Sequence, residues 1–173
     1  MSLDDWLANR WIEPHEASLE EVRNLLALVD RDLNDAAIDR LSADWRLGIA
    51  YNAALQLATL ALAASGYRPA RIRGHERAIQ SLRHTVGLDR TLVDTLDVVR
   101  RKRNRSNYER AGTASPSEAE DVYQLTKELR FQVVSWLEAH YPELLTTPEG
   151  HGSLQVFEAT TASRRGKTLK TQA

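Results

Sequence analysis

Apolar residues along this chain recur every three or four positions, and no run of alternating β-branched residues marks a strand, so the pattern predicts helices throughout. Leu3, Leu7 and Trp11 outline a short first helix that ends before Pro14. Ser18 followed by Glu21 predicts a capping box opening a second helix, whose Val22, Leu25, Leu26 and Val29 share one face. The third and longest helix is expected from about Asp39 to Ser65, stopping at Gly66, a residue suited to the left-handed conformation past a helix end.

Beyond the loop Gly66-Tyr67-Arg68-Pro69, a fourth helix is expected from about Gly74 to His84 and a fifth from about Leu88 to Arg103, the latter with Leu88, Leu92, Leu96 and Val99 in one stripe. Ser115-Pro116-Ser117-Glu118 joins an N-cap serine, a proline at the first helical position and a glutamate at the third. It opens a sixth helix to about His140, with Val122, Leu125, Leu129, Val133 and Trp136 facing one way. Short loops between such elements predict an all-α, up-and-down helical bundle with antiparallel neighbours. The bundle is expected over residues 1–145, and a polar, basic, flexible tail over 146–173. That tail reads either as a solvated end or as an arm that docks on a partner or on nucleic acid.

Length and charge narrow the picture. At 173 residues and 42% hydrophobic content, the chain suits one domain with a core plus a tail. A net charge of -1 leaves attraction to nucleic acid or an anionic membrane to local patches. The absence of cysteine excludes disulfides, thiolate metal sites and a cysteine nucleophile. The acidic start Met1-Ser2-Leu3-Asp4-Asp5 lacks the features of a secretory signal, so the expected location is cytoplasmic. The apolar stretch from Leu47 to Ala64 invites a membrane reading, but Asn52, Gln56 and Thr59 interrupt it and no basic clusters flank it. It is expected at the centre of the bundle, with no membrane involved.

The densest chemistry lies between Arg100 and Arg110, where six cationic side chains (Arg100, Arg101, Lys102, Arg103, Arg105 and Arg110) fall within eleven residues. Arg103 continues the stripe of Leu92, Leu96 and Val99, which points it along the core-facing seam. A guanidinium there calls for a partner, and two remain open: a phosphate or carboxylate ligand matched to its planar fork, or the negative end of its own helix together with Glu109. Arg100, Arg101, Lys102 and Arg105 are expected to form a solvated electropositive rim that concentrates RNA or an acidic partner.

Arg103-Asn104 followed after a short gap by Tyr108, together with the alanine-rich AYNAALQLATLALAASGYRP segment and His75 ahead of an apolar-periodic helix, resembles the HEPN family (higher eukaryotes and prokaryotes nucleotide-binding domain). The similarity covers about Asp39 to Tyr141 and is nearest to the branch with Arg-Asn and then Tyr in place of the motif His. It implies a four-helix core with extra N-terminal helices. Many such domains are dimeric, metal-independent endoribonucleases of toxin-antitoxin and anti-phage systems; others are non-catalytic partners, commonly of minimal nucleotidyltransferases. Under that resemblance Arg103, Asn104 and Tyr108 would be the active residues of a nuclease, and Arg100, Arg101, Lys102, Arg103, Arg105 and Arg110 would hold phosphate or nucleic acid.

The departure at Tyr108 bears on that choice. A phenol titrating near about 10 is a poor proton shuttle at neutrality, where an imidazole near about 6.5 is suited to the task. Binding of a phosphate survives the exchange better than turnover does, which favours a partner or antitoxin role over an endoribonuclease, with a non-catalytic scaffold as the third reading. His75 and His84 flank the fourth helix and read as surface or packing residues. The five histidines show no metal-like spacing with Asp or Glu, and no phosphate loop, dinucleotide fingerprint or Ser-His-Asp order is present, so neither metal nor cofactor is expected. The expected partners are a cognate toxin or antitoxin, with RNA or a nucleotide as further candidates. Four tryptophans and the apolar third helix add the expectation of a homodimer or hetero-oligomer.

Overall fold

The computed structural model describes residues 2–108 and 112–146, with the side chains of 105–108 left undescribed, and it is an all-α bundle. Six helices are present among the described residues: α1 (Leu3–Ala8), α2 (Leu19–Ala36), α3 (Ala43–Ala64), α4 (Gly74–Ser81), α5 (Arg90–Tyr108) and α6 (Pro116–His140). A single turn of 3-10 helix, Pro142–Leu144, follows α6. The expected tail from 147 onward, and Arg110, lie outside the described residues.

Helix α3 is the axis of the molecule. It packs against α2, α4, α5 and α6, and its alanines Ala50, Ala53, Ala54, Ala58 and Ala61 are fully buried. Small side chains on every face let the neighbouring backbones approach closely, and that is why this helix is alanine-rich instead of amphipathic. By length and composition α3 could cross a membrane, yet 72% of its most apolar window is buried inside the fold. The polar residues that interrupt it have work to do here. Asn52 donates through Nδ2 to the buried Asp32 carboxylate of α2 at 2.6 Å, and Asp32 also receives Arg31 at 2.7 Å.

Two corrections concern the first seventy residues. The first helix ends at Ala8, not near Trp11, because Arg10 takes a left-handed conformation (φ 56°) that turns the chain out of the helix. The chain then forms a two-stranded antiparallel sheet absent from the sequence reading. β1 (Ile12–Pro14) pairs with β2 (Tyr67–Pro69), with Ile12 opposite Pro69 and Pro14 opposite Tyr67. Three-residue strands are too short to show an alternating pattern, and the proline in each disguises them further. Trp6, Ile12 and Leu62 form a small separate core beneath this sheet.

The caps also differ in detail. Ser115 and Glu118 close the expected reciprocal box on α6. At α2 the Ser18 hydroxyl accepts from the Glu21 amide at 3.1 Å, but the Glu21 carboxylate is taken by His15 Nε2 at 2.9 Å. Ser2 and Asp5 make a full capping box on α1 that the periodicity did not reveal.

Candidate anion-binding face of the fifth helix

Helix α5 buries Val93, Leu96 and Val99 against the bundle, with Leu92 only partly covered. Leu88 is buried in the turn ahead of the helix, and the Asp89 carboxylate accepts from the Thr91 amide at 2.6 Å. The helix does not end near Arg103; it runs on to Tyr108. Arginine and lysine are good helix formers, cations are favoured at a helix C-terminus, and neither Gly nor Pro intervenes before Gly112. The Arg-Asn motif therefore sits within the last turns of a continuous helix. The side chains of Arg105 and Tyr108 lie outside the described residues.

Arg103 is half-buried, with its guanidinium carbon 6.0 Å from the centre of the Tyr51 ring on α3. The core-facing stripe thus ends with a cation laid against an aromatic face. Asn104 is exposed. The surrounding cations are less open than a solvated rim. Arg100 donates through Nε to Asp97 at 2.7 Å and approaches Glu76 of α4 at 3.6 Å, with little of its side chain exposed. Arg101, more open to water, lies 3.3 Å from the same Asp97. The Lys102 ammonium binds Glu118 at the start of α6, and with Ser115 it draws the Glu118 carboxyl down to about 2.

Two residues outside the basic run join it in space. Tyr51 is fully buried, and burial pushes its phenol up to about 12 against the opposing pull of Arg100 and Arg103. The phenol is therefore a neutral donor at physiological pH. His75, in the first turn of α4, is held below the ordinary imidazole value, first by partial removal from water and then by Arg103 and Arg100. Its own position remains solvent-accessible. Next to it, Glu76 anchors Arg73 at 2.6 Å and 2.9 Å.

The segment that follows the motif is also fixed. Asp44, at the start of α3, accepts the backbone N–H groups of Gly112, Thr113 and Ala114, the last two at 3.1 and 2.9 Å, and the Thr113 hydroxyl at 3.1 Å. These bonds, the Gly112 amide foremost, lower the Asp44 carboxyl from its ordinary value.

The basic run was legible in the sequence, but Tyr51 and His75 as its neighbours were not. Tyr51 sits in an alanine-rich apolar segment where an aromatic reads as core, and His75 opens a different helix. Among the described residues no group of His, Asp and Glu could hold a metal ion. Compared with known proteins, the chain matches no family model, no curated protein and no solved structure.

Proposed function

We propose that this chain is the HEPN-like binding component of a prokaryotic toxin-antitoxin or anti-phage module. In this reading it engages a toxin enzyme, such as a nucleotidyltransferase, through the face of α5 that carries Arg103 and Asn104. It acts in the cytoplasm as a homodimer or hetero-oligomer. The observation that carries the reading is the seat of Arg103 at the end of an apolar stripe, braced against the Tyr51 ring, on a helix face where Arg100, Arg101 and Lys102 are held in place by carboxylates of the chain. Sequence-independent RNA grooves depend on many open cations that release counterions. Cations held in fixed positions suit a shaped partner surface better.

Co-expression with the product of a neighbouring toxin-like gene tests this. The two proteins should co-purify through a tag on either one, and Arg103→Glu should reduce recovery of the partner while the variant's far-ultraviolet dichroism stays unchanged. Growth arrest on expressing this chain alone would overturn the assignment.

His75 beside Arg103 favours a second reading, a metal-independent endoribonuclease, because an imidazole near the motif could supply the proton transfer that Tyr108 performs poorly. RNA cleavage in the presence of a chelator, lost in both Arg103→Ala and His75→Ala, is the expected result. Intact RNA at high protein concentration removes it.

A further inference from the structure

Helix α6 turns Ala119, Val122, Thr126, Leu129, Val133 and Leu137 into the bundle. Away from that buried side it carries Lys127, Phe131, Val134 and Glu138, spaced four, three and four residues apart. On an α-helix these positions fall within about 60° of one another, so they form one stripe along the outside of α6. Phe131 is 67% exposed, Lys127 and Glu138 are exposed, and Val134 is partly covered. An exposed apolar side chain is ordinary by itself, and Ile72 in the loop ahead of α4 is one such. The charges set the α6 stripe apart.

Among the described residues the ion pairs of α6 use Glu118, Glu120 and Arg130, and Lys127 and Glu138 take part in none of them. The Lys127 ammonium stands 5.3 Å from the centre of the Tyr123 ring and exerts a minor pull on Glu120. Lys127 and Glu138 are separated by about 16 Å along the helix axis, so they cannot meet within one chain. Helix α5 has a similar outward set in Asp94, Val98 and Arg101, but there Arg90 engages Asp94 at 3.4 Å and Asp97 engages Arg101 at 3.3 Å. The α6 stripe is also complementary to itself when reversed. Set antiparallel to a copy, about a two-fold axis between residues 132 and 133, Lys127 meets the partner's Glu138 and Phe131 meets the partner's Val134, and each pair occurs twice. A parallel pairing would set lysine on lysine and glutamate on glutamate, so charge selects the antiparallel arrangement.

We propose that α6 pairs antiparallel with α6 of a second copy of this chain through Lys127, Phe131, Val134 and Glu138. Arg130, bound to Asp30 of α2 at 2.5 Å, holds the helix to the body of the bundle beside the stripe. Glu118, through which α6 holds Lys102 of α5, projects from the far side of the helix. The pairing therefore leaves the α5 face open. It rests on the homodimer in the reading above and not on the toxin partner.

The test is the mass of the full chain by sedimentation equilibrium at low ionic strength, over a concentration series reaching about 1 mM. The parent should dimerise. Lys127→Glu alone and Glu138→Lys alone should each weaken the dimer at least about tenfold, because both charged contacts then join like charges. Mixed in equal amounts, the two variants should associate with each other, since opposite charges then meet at both ends of the pairing. The double variant should recover the parent's mass. Phe131→Ser should weaken the dimer to a similar degree with unchanged far-ultraviolet dichroism, because the ring is exposed in the single chain. A parent that is monomeric at every concentration would overturn the proposal and remove the homodimer from the proposed function, leaving the stripe to another protein or to the chain beyond residue 146. A dimer whose mass is unmoved by the charge reversals and by Phe131→Ser would overturn the proposal alone and leave the homodimer to a different face. A mixture of the two charge reversals that binds no more tightly than either variant does to itself would also overturn it.

Discussion

At the scale of single residues, the chemistry of the α5 face is set by side chains whose partners are distant in sequence. Asp44 shows the principle, because one carboxylate collects the amides of Gly112, Thr113 and Ala114 and so fixes the exit from the motif helix. Hydrogen bonds to a charged acceptor contribute about 2 kcal/mol, so Asp44→Ala should cost about that much in a denaturant melt. It should also speed hydrogen exchange at those three amides. Since the folded Asp44 is depressed, its stabilisation is present above the ordinary value of 3.8 and lost as the pH falls through the lower folded value. Protection of the amides at residues 112–114, taken relative to the intrinsic exchange rate at each pH, should therefore fall on acidification in the parent and not in Asp44→Ala. His75 runs the same way for a different reason. A depressed imidazole leaves the unfolded chain binding the extra proton first, so stability falls as the pH drops below 6.5, and His75→Gln should flatten that slope. Residue identities alone carried none of these pairings, because a carboxylate or an imidazole looks the same in a sequence whether it faces water or a guanidinium.

At the scale of elements, helical period located the six α-helices among the described residues, and several of their ends were decided by contacts. The clearest case is the join between α2 and α3. The buried Arg46 of α3 donates through Nε to the Ala36 carbonyl at the end of α2, at 2.8 Å, and through Nη2 to Glu120 of α6, at 2.7 Å. One side chain thus caps the negative end of one helix and pins a third. Arg46→Ala should lower stability by about 2–3 kcal/mol, the loss of charge-assisted bonds from a buried site with a half-exposed partner carboxylate. Arg46→Met should recover part of it by restoring packing alone. Equal stability of the alanine variant and the parent in a urea melt would show that water replaces these bonds without loss. The two short strands belong to this scale as well. Their pairing is stabilised by the buried Ile12 and by Arg77, which donates to the Trp11 carbonyl at 3.1 Å and stacks on its ring, none of which a three-residue pattern announces.

Across the whole molecule, four helices surround α3, and the small side chains of α3 set the distances between them. Ala54 is fully buried in that helix. Ala54→Leu should destabilise by about 2 kcal/mol or more, because added methylenes in a close-packed core force neighbours off their rotamers. A thermal melt at unchanged helix content measures it. Of the four tryptophans, Trp45 stands exposed at 68% while Trp6 is buried and Trp11 and Trp136 are partly covered, so the large exposed aromatic rings among the described residues are those of Trp45 and Phe131.

The sequence by itself determined that the fold is an all-α bundle, where most helices begin, which long helix is central, and that positive charge gathers between Arg100 and Arg110. These are local properties, written in period, capping residues and composition, and they survive without knowledge of neighbours. The tertiary structure decided how that charge is used: Arg100 and Lys102 turned onto carboxylates, Arg103 laid on Tyr51, and His75 brought from another helix into the field of Arg103 and Arg100. Such juxtapositions depend on the rotation and offset of packed helices. A shift of a single residue in that register would leave the periodicity unchanged and the Arg103 site dissolved.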